Sequence, residues 1–116
     1  MRAWCLLAAY AVALVVACAS AGQAQIMRWT VPHWWLPGAL CVHRHESYDW
    51  HLVDWPYFGG MQFEIKTWWS VGGRGSIYQA RWSSPAEQLY RAYRVWRRDG
   101  GSWREWPTTS RICGLQ

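Results

Sequence analysis

The sequence predicts a small, mainly helical domain, with room for a minor β component (small α+β), stapled by one disulfide. Three observations carry this expectation. No window sustains the alternation of apolar and polar residues that marks a half-buried strand. Ser84 to Arg98 reads as one capped amphipathic helix. Cys41 and Cys113 remain as a pair once a leader-like N-terminus is set aside.

The chain has 116 residues, enough for one domain. Arg2 supplies a positive start, Leu6 to Ala17 an apolar run too short to span a bilayer, and Ala19-Ser20-Ala21 a small-residue cleavage site before Gly22. Residues 1–21 are therefore expected to be a secretory signal peptide. A second reading stays open beside it: Val15-Val16-Ala17-Cys18 has the form of a lipoprotein processing site, with Cys18 as the lipid-carrying residue. With Cys5 and Cys18 in the leader, an exported domain of this size pairs its two remaining cysteines. Closing a loop of about 70 residues stabilises by roughly 4 kcal/mol in the chain-entropy model. A metal role for these cysteines is disfavoured, because neither sits in a C-x-x-C pair.

Residues 22–37 hold two prolines and no steady period, and read as an N-terminal arm packed through Trp29, Trp34 and Trp35. The domain proper is expected over 38–116. Gly38 to Glu46 reads as a short helix with Leu36, Leu40 and His43 or Arg44 on one face. Asp49 to Gly60 reads as a loop or short irregular hairpin. A second helix is expected over Glu64 to Val71, with Ile65, Trp68 and Trp69 on its apolar side and Gly72-Gly73 as its stop. Residues 72–83 read as a flexible surface loop. In the next helix Ser84 is the N-cap, Pro85 the first residue, and Glu87 completes a capping box. Leu89, Ala92, Tyr93 and Trp96 line its inner face, while Arg97 and Arg98 suit the negative end of its dipole. Residues 103–116 read as a polar tail pinned by Cys113.

Net charge is +5, almost all of it from arginine, which biases the chain toward anionic partners such as a bacterial wall or membrane surface. Export argues against nucleic acid. Twelve tryptophans are present, and Trp4 alone lies in the leader. Indoles fill small cores and also offer flat faces to sugar rings, so about half are expected to be structural.

Glu46 stands among His43, His45, Tyr48 and Trp50. A carboxyl packed among aromatic rings loses hydration, which favours its protonated form and suits it to general-acid work. A solvated glutamate at a helix end is the plainer reading of the same residues. His43, His45, Glu46 and His51 do not match the H-E-x-x-H spacing that places two imidazoles on one helical face, so no metal and no cofactor are expected. The histidines are read instead as surroundings for Glu46.

Glu46-Ser47, Trp50, Tyr57-Phe58-Gly59-Gly60, Met61-Gln62-Phe63 and Thr67-Trp68 together resemble the resuscitation-promoting factor and transglycosylase-like domain. That family's pattern reads approximately E-S-G-G-N-W, Y-Y-G-G-L-Q-F, S/T-W and G-G. Ser84-Pro85-Ala86-Glu87-Gln88, and Trp106-Pro107 ahead of Cys113, are similar to its A-E-Q helix and its W-P ending. The resemblance runs from about Leu40 to Gly114 in the right order. It implies a lysozyme-like single domain that cleaves peptidoglycan glycan strands between N-acetylmuramic acid and N-acetylglucosamine. The chain is expected to be secreted, wall-associated and monomeric. Carried across, Glu46 is the catalytic acid and later base, and Gln62 and the Tyr57-to-Met61 backbone, with Gly59 and Gly60, line the groove beside it. Trp50, Trp68 and, from the loop expected to face the groove, Asp54 are further candidates for contact with substrate. Lytic transglycosylation needs one enzymatic carboxyl, because the sugar's own C6 hydroxyl attacks. A hydrolytic muramidase needs a second carboxylate, for which Asp54 is the candidate ahead of Asp49 and Glu64. The chain departs from the pattern at Tyr48-Asp49 and at Val53-Asp54-Trp55-Pro56. A glycan-binding module without activity is the alternative on the same fold.

Overall fold

The computed structural model describes residues 28–115. The expected signal peptide, the Cys18 alternative and the first part of the expected arm lie outside these residues. The chain divides into two compact units, Met1–Thr30 and Val31–Gln116. In the described part of the first, the Arg28 guanidinium lies 4.6 Å from the Trp29 ring centre. The second unit begins within the span read as an arm, and there Trp35 is a core residue.

The second unit is a small α+β domain. Its elements are helix α1 (Leu36–Glu46), strands β1 (Val53–Asp54), β2 (Tyr57–Phe58) and β3 (Phe63–Glu64), then α2 (Ile65–Ser70), α3 (Ile77–Ala80), α4 (Pro85–Arg98) and α5 (Pro107–Ile112). The strands form an antiparallel meander, with Val53 opposite Phe58, Asp54 opposite Tyr57, Tyr57 opposite Glu64 and Phe58 opposite Phe63. Each strand has two residues, too few for an alternating pattern to register in the sequence. Among the described residues, no helix is long and apolar enough to cross a membrane.

Helix α1 starts two residues ahead of the expected boundary, with Pro37 in its first turn. Its buried stripe is Ala39, Val42 and His43, and Leu36 and Leu40 are only half-buried. Ala39 has no accessible surface, and its small side chain allows a close approach to the core. In α2, Trp68 is fully buried, whereas Trp69 turns outward and donates its Nε1–H to the Gly75 carbonyl at 2.8 Å.

Three sequence expectations are corrected. The 72–83 segment holds α3, started by a reciprocal capping box in which Ser76 and Gln79 satisfy each other's backbone N–H groups. At α4, Ser84 accepts from the Glu87 N–H at 3.1 Å, but the Glu87 carboxylate completes no box and pairs with Arg91 at 3.2 Å. The 103–116 tail folds into α5, a six-residue helix far too short to persist alone. It is held by Cys113, disulfide-bonded to Cys41 as expected, with the two Cα atoms 5.9 Å apart.

The core is aromatic. Trp68 meets Phe58 edge-on at 5.5 Å and Phe63 at 5.2 Å, and Trp35 stacks on Trp103 at 5.2 Å with the planes 8° apart. Trp35, Trp68, Trp103 and Trp106 are buried, Trp50 and Trp96 pack against the core, and Trp34, Trp55, Trp69 and Trp82 are exposed. Structural and surface indoles are thus both present.

Asp99 caps the end of α4 with a side chain shut off from solvent. Burial alone would raise its pKa, but hydrogen bonds from Arg104 (2.9 Å) and Arg98 (3.2 Å) outweigh this and hold the carboxyl below its ordinary value of 3.8.

Two outcomes follow. Replacing Cys41 and Cys113 by serine opens a 72-residue loop and lowers the unfolding free energy by about 4 kcal/mol, measured by urea denaturation. Because folding lowers the Asp99 pKa, its stabilisation is complete above the ordinary value and is lost as pH falls below it. Urea midpoints measured against pH will fall more shallowly on the acid side for Asp99→Asn than for the wild-type chain.

Candidate active site

Glu46 is the last residue of α1, and the following Ser47 turns to extended backbone. The Glu46 side chain is half-buried, and its Oε1 accepts a 2.8 Å hydrogen bond from the Thr109 hydroxyl of α5. Two ties join these helices: Cys41 to Cys113, and Glu46 to Thr109. The later residue of α1 meets the earlier residue of α5, so the helices run antiparallel and the disulfide sets the height at which Thr109 meets Glu46.

Glu46 opens into a cavity of about 450 Å³ lined also by Asp54, Tyr57, Gln62, Glu105, Trp106, Pro107, Thr108 and Thr109. The sheet supplies Asp54 from β1 and Tyr57 from β2, which face each other across the hairpin. Trp55, between them, is 74% exposed at the turn. Gln62 adopts a left-handed backbone (φ 51°), a conformation that costs a non-glycine residue roughly 1–2 kcal/mol. Its side-chain amide donates to the Gly59 carbonyl at 2.8 Å, which fixes the side chain at the wall. Opposite, Trp106 is buried and donates its Nε1–H to the Met61 carbonyl at 2.7 Å.

Of the residues expected in the groove, Glu46, Asp54, Tyr57 and Gln62 come together there. Trp68 does not: it has no accessible surface and belongs to the core, where its indole donates to the Arg74 carbonyl at 3.1 Å. Trp50 is half-buried and stacks on the His43 ring at 3.8 Å. Gly59 and Gly60 are buried and open no path to a sugar. They permit close packing against the protein itself. A Cβ at Gly59, where φ is +76°, would collide with the Gln88 amide, and one at Gly60 would collide with the Trp50 ring and come within 2.6 Å of His43 Nδ1.

The histidines do not surround Glu46. His43 is buried and donates its Nδ1–H to the Gly60 carbonyl at 2.7 Å, and His51 donates likewise to the Arg81 carbonyl at 2.8 Å. His45 lies with Cys41 and Cys113 in a group whose donor atoms fall within 4.8 Å of one another. Joined to each other, those two sulfurs lack the thiolate form that binds metals.

Sequence reasoning missed three contributors. Thr109 and Glu105 lay in a stretch read as tail, with no motif of their own. Gln88 is fully buried in α4. Its Oε1 accepts from the Gly60 N–H at 2.9 Å, and its Nε2 donates to the Trp50 carbonyl at 2.8 Å and the Ser83 carbonyl at 2.9 Å. The available signals were its place in the A-E-Q motif and its position one residue from the apolar face of the helix.

Over 59 residues, about half of this chain, the sequence is 41% identical to the resuscitation-promoting factor Rpf of Micrococcus luteus. The chain spans about a quarter of that relative's length (24%). No protein-family model matches the chain. No solved structure matches it.

Because Gly60 has no room for a methyl group, Gly60→Ala will displace Trp50 or His43 and lower stability by about 2 kcal/mol. Thermal unfolding monitored by near-UV circular dichroism measures this loss.

Proposed function

We propose that this chain cleaves peptidoglycan glycan strands outside the cell, at the bond between N-acetylmuramic acid and N-acetylglucosamine, with Glu46 as acid and then base. The observation that carries the reading is Glu46 itself: half-buried, held by Thr109, and opening into a cavity lined by Asp54, Tyr57 and Gln62. The ordered motif resemblance and the identity to Rpf support it.

The chemistry uses few groups. With Oε1 accepting from Thr109, the protonated carboxyl carries its hydrogen on Oε2, and it delivers that proton to the glycosidic oxygen as the bond to the anomeric carbon breaks. In a lytic transglycosylase, the C6 hydroxyl of the same sugar attacks the anomeric carbon and gives its proton to the Glu46 carboxylate. The product ends in a 1,6-anhydro ring, and the acid is restored. Gln62 bonds sugar hydroxyls or acetamido groups, and Tyr57 packs on a ring face.

A hydrolytic muramidase is the second reading, and a specific observation favours keeping it: Asp54 lines the same cavity as Glu46.

Digestion of purified peptidoglycan by the mature chain, followed by mass spectrometry, tests both. The wild-type chain is expected to release muropeptides with anhydro ends, and Glu46→Gln to release at least about a hundredfold less. Reducing ends, lost on Asp54→Asn, would select hydrolysis. Tight binding to insoluble wall without products, unchanged in Glu46→Gln, would identify a glycan-binding module instead.

A further inference from the structure

A second cavity, of about 650 Å³, lies along α4 and is lined by Tyr90, Tyr93, Arg94, Arg97 and Arg98, with Ser70 and Val71 at the end of α2 completing it. Three guanidiniums and two phenol rings face this space, and no carboxylate lines it. Arg94 is three residues from Arg97 and four from Arg98, so their charges are neighbours on one helical face and repel one another. Arg98 is partly neutralised by Asp99 at 3.2 Å and Glu105 at 3.7 Å. Among the described residues, no carboxylate pairs with Arg94 or Arg97, and Arg94 meets only the neutral Tyr90 hydroxyl at 3.4 Å. Favourable interaction with the helix dipole accounts for cations in the last turn, but Arg94 lies a full turn earlier.

The lining is also held in place. Arg98 Nη1 donates to Ser70 Oγ at 2.6 Å, and that hydroxyl donates to the Thr67 carbonyl at 2.7 Å. The Tyr93 ring is fixed between Trp35 (5.2 Å) and Trp96 (5.9 Å, planes 17° apart). Fixed aromatic faces suit the C–H faces of sugar rings, and guanidiniums bond carboxylates and phosphates in a two-pronged fashion. A lipid surface is a poorer fit, because Val71 is the one aliphatic side chain in the lining and it is buried.

We propose that this pocket binds an anionic saccharide unit, a sugar carrying a carboxylate or a phosphate, on a wall polymer. Arg94 and Arg97 hold the anion, and Tyr90 and Tyr93 hold the ring. The site adjoins the groove of Glu46, since Glu105 lines that groove and pairs with Arg98. It stands independently of cleavage, because its readout is binding.

The experiment measures binding of the full chain, at about 0.15 M salt, to polygalacturonate, to phosphorylated dextran, to neutral dextran and to phosphatidylglycerol vesicles. The expected result is binding to at least one charged polysaccharide and not to neutral dextran, and the tighter of the two names the anion. The Arg94→Gln/Arg97→Gln double variant should bind about tenfold more weakly. The Arg44→Gln/Arg74→Gln double variant, with the same net charge, should lose less than about twofold. Circular dichroism establishes that both variants fold. Equal losses in the two doubles, vesicle binding without polysaccharide binding, or no binding at this salt would each overturn the proposal.

Discussion

The side-chain amide of Gln88 holds together parts of the molecule that the chain itself keeps far apart. It takes the N–H of Gly60 and gives its own hydrogens to the carbonyls of Trp50 and Ser83, and the Gln88 side chain has no access to water. A buried amide left without partners is costly, so this set of bonds fixes the loop after α1, the turn between β2 and β3 and the start of α4 in one arrangement. Gly60 in turn supplies the carbonyl that orients His43, and His43 carries Trp50 on its face. The network of Gln88, Gly60, His43 and Trp50 is therefore polar and specified, whereas the rest of the core is a mosaic of rings that grip through shape.

The sequence revealed α4, the second helix and the disulfide partners with little ambiguity, because each rests on local chemistry: a serine cap with proline behind it, an apolar stripe, a pair of cysteines. It did not reveal α3 or α5. Both are short and owe their existence to contacts with distant residues, and a four- or six-residue helix leaves almost no periodic signal. The β1–β2 hairpin falls within the span read as a loop or short irregular hairpin, but its strands could not be delimited, since two residues cannot alternate visibly, and Glu64 of β3 was read as the start of a helix.

The cavity-lining half of the candidate site was legible. Glu46, Asp54, Tyr57 and Gln62 were picked out by residue type and order, and they meet in one cavity. The supporting half was hidden. Trp68 and the Gly59-Gly60 pair sit inside a motif that invites a substrate role, yet burial shows Trp68 to be core and the glycines to be clearance for Gln88, Trp50 and His43. Thr109 carried no signal at all, because its importance arises only from lying beside a residue 63 positions earlier.

That separation bears on how the molecule comes into being. A chain made from its N-terminus presents Glu46 early, whereas the threonine that steadies it and the cysteine that fastens α5 follow more than 60 residues later. At ordinary synthesis rates of about 5–20 residues per second, the interval between Glu46 and Thr109 is roughly 3–13 s. Throughout that interval the nascent polypeptide holds the carboxyl without the opposite wall, since Glu105 to Thr109 have yet to be added. The groove is complete only once residues 105–109 have been made, and a chain cut short before residue 105 lacks that wall of the cavity.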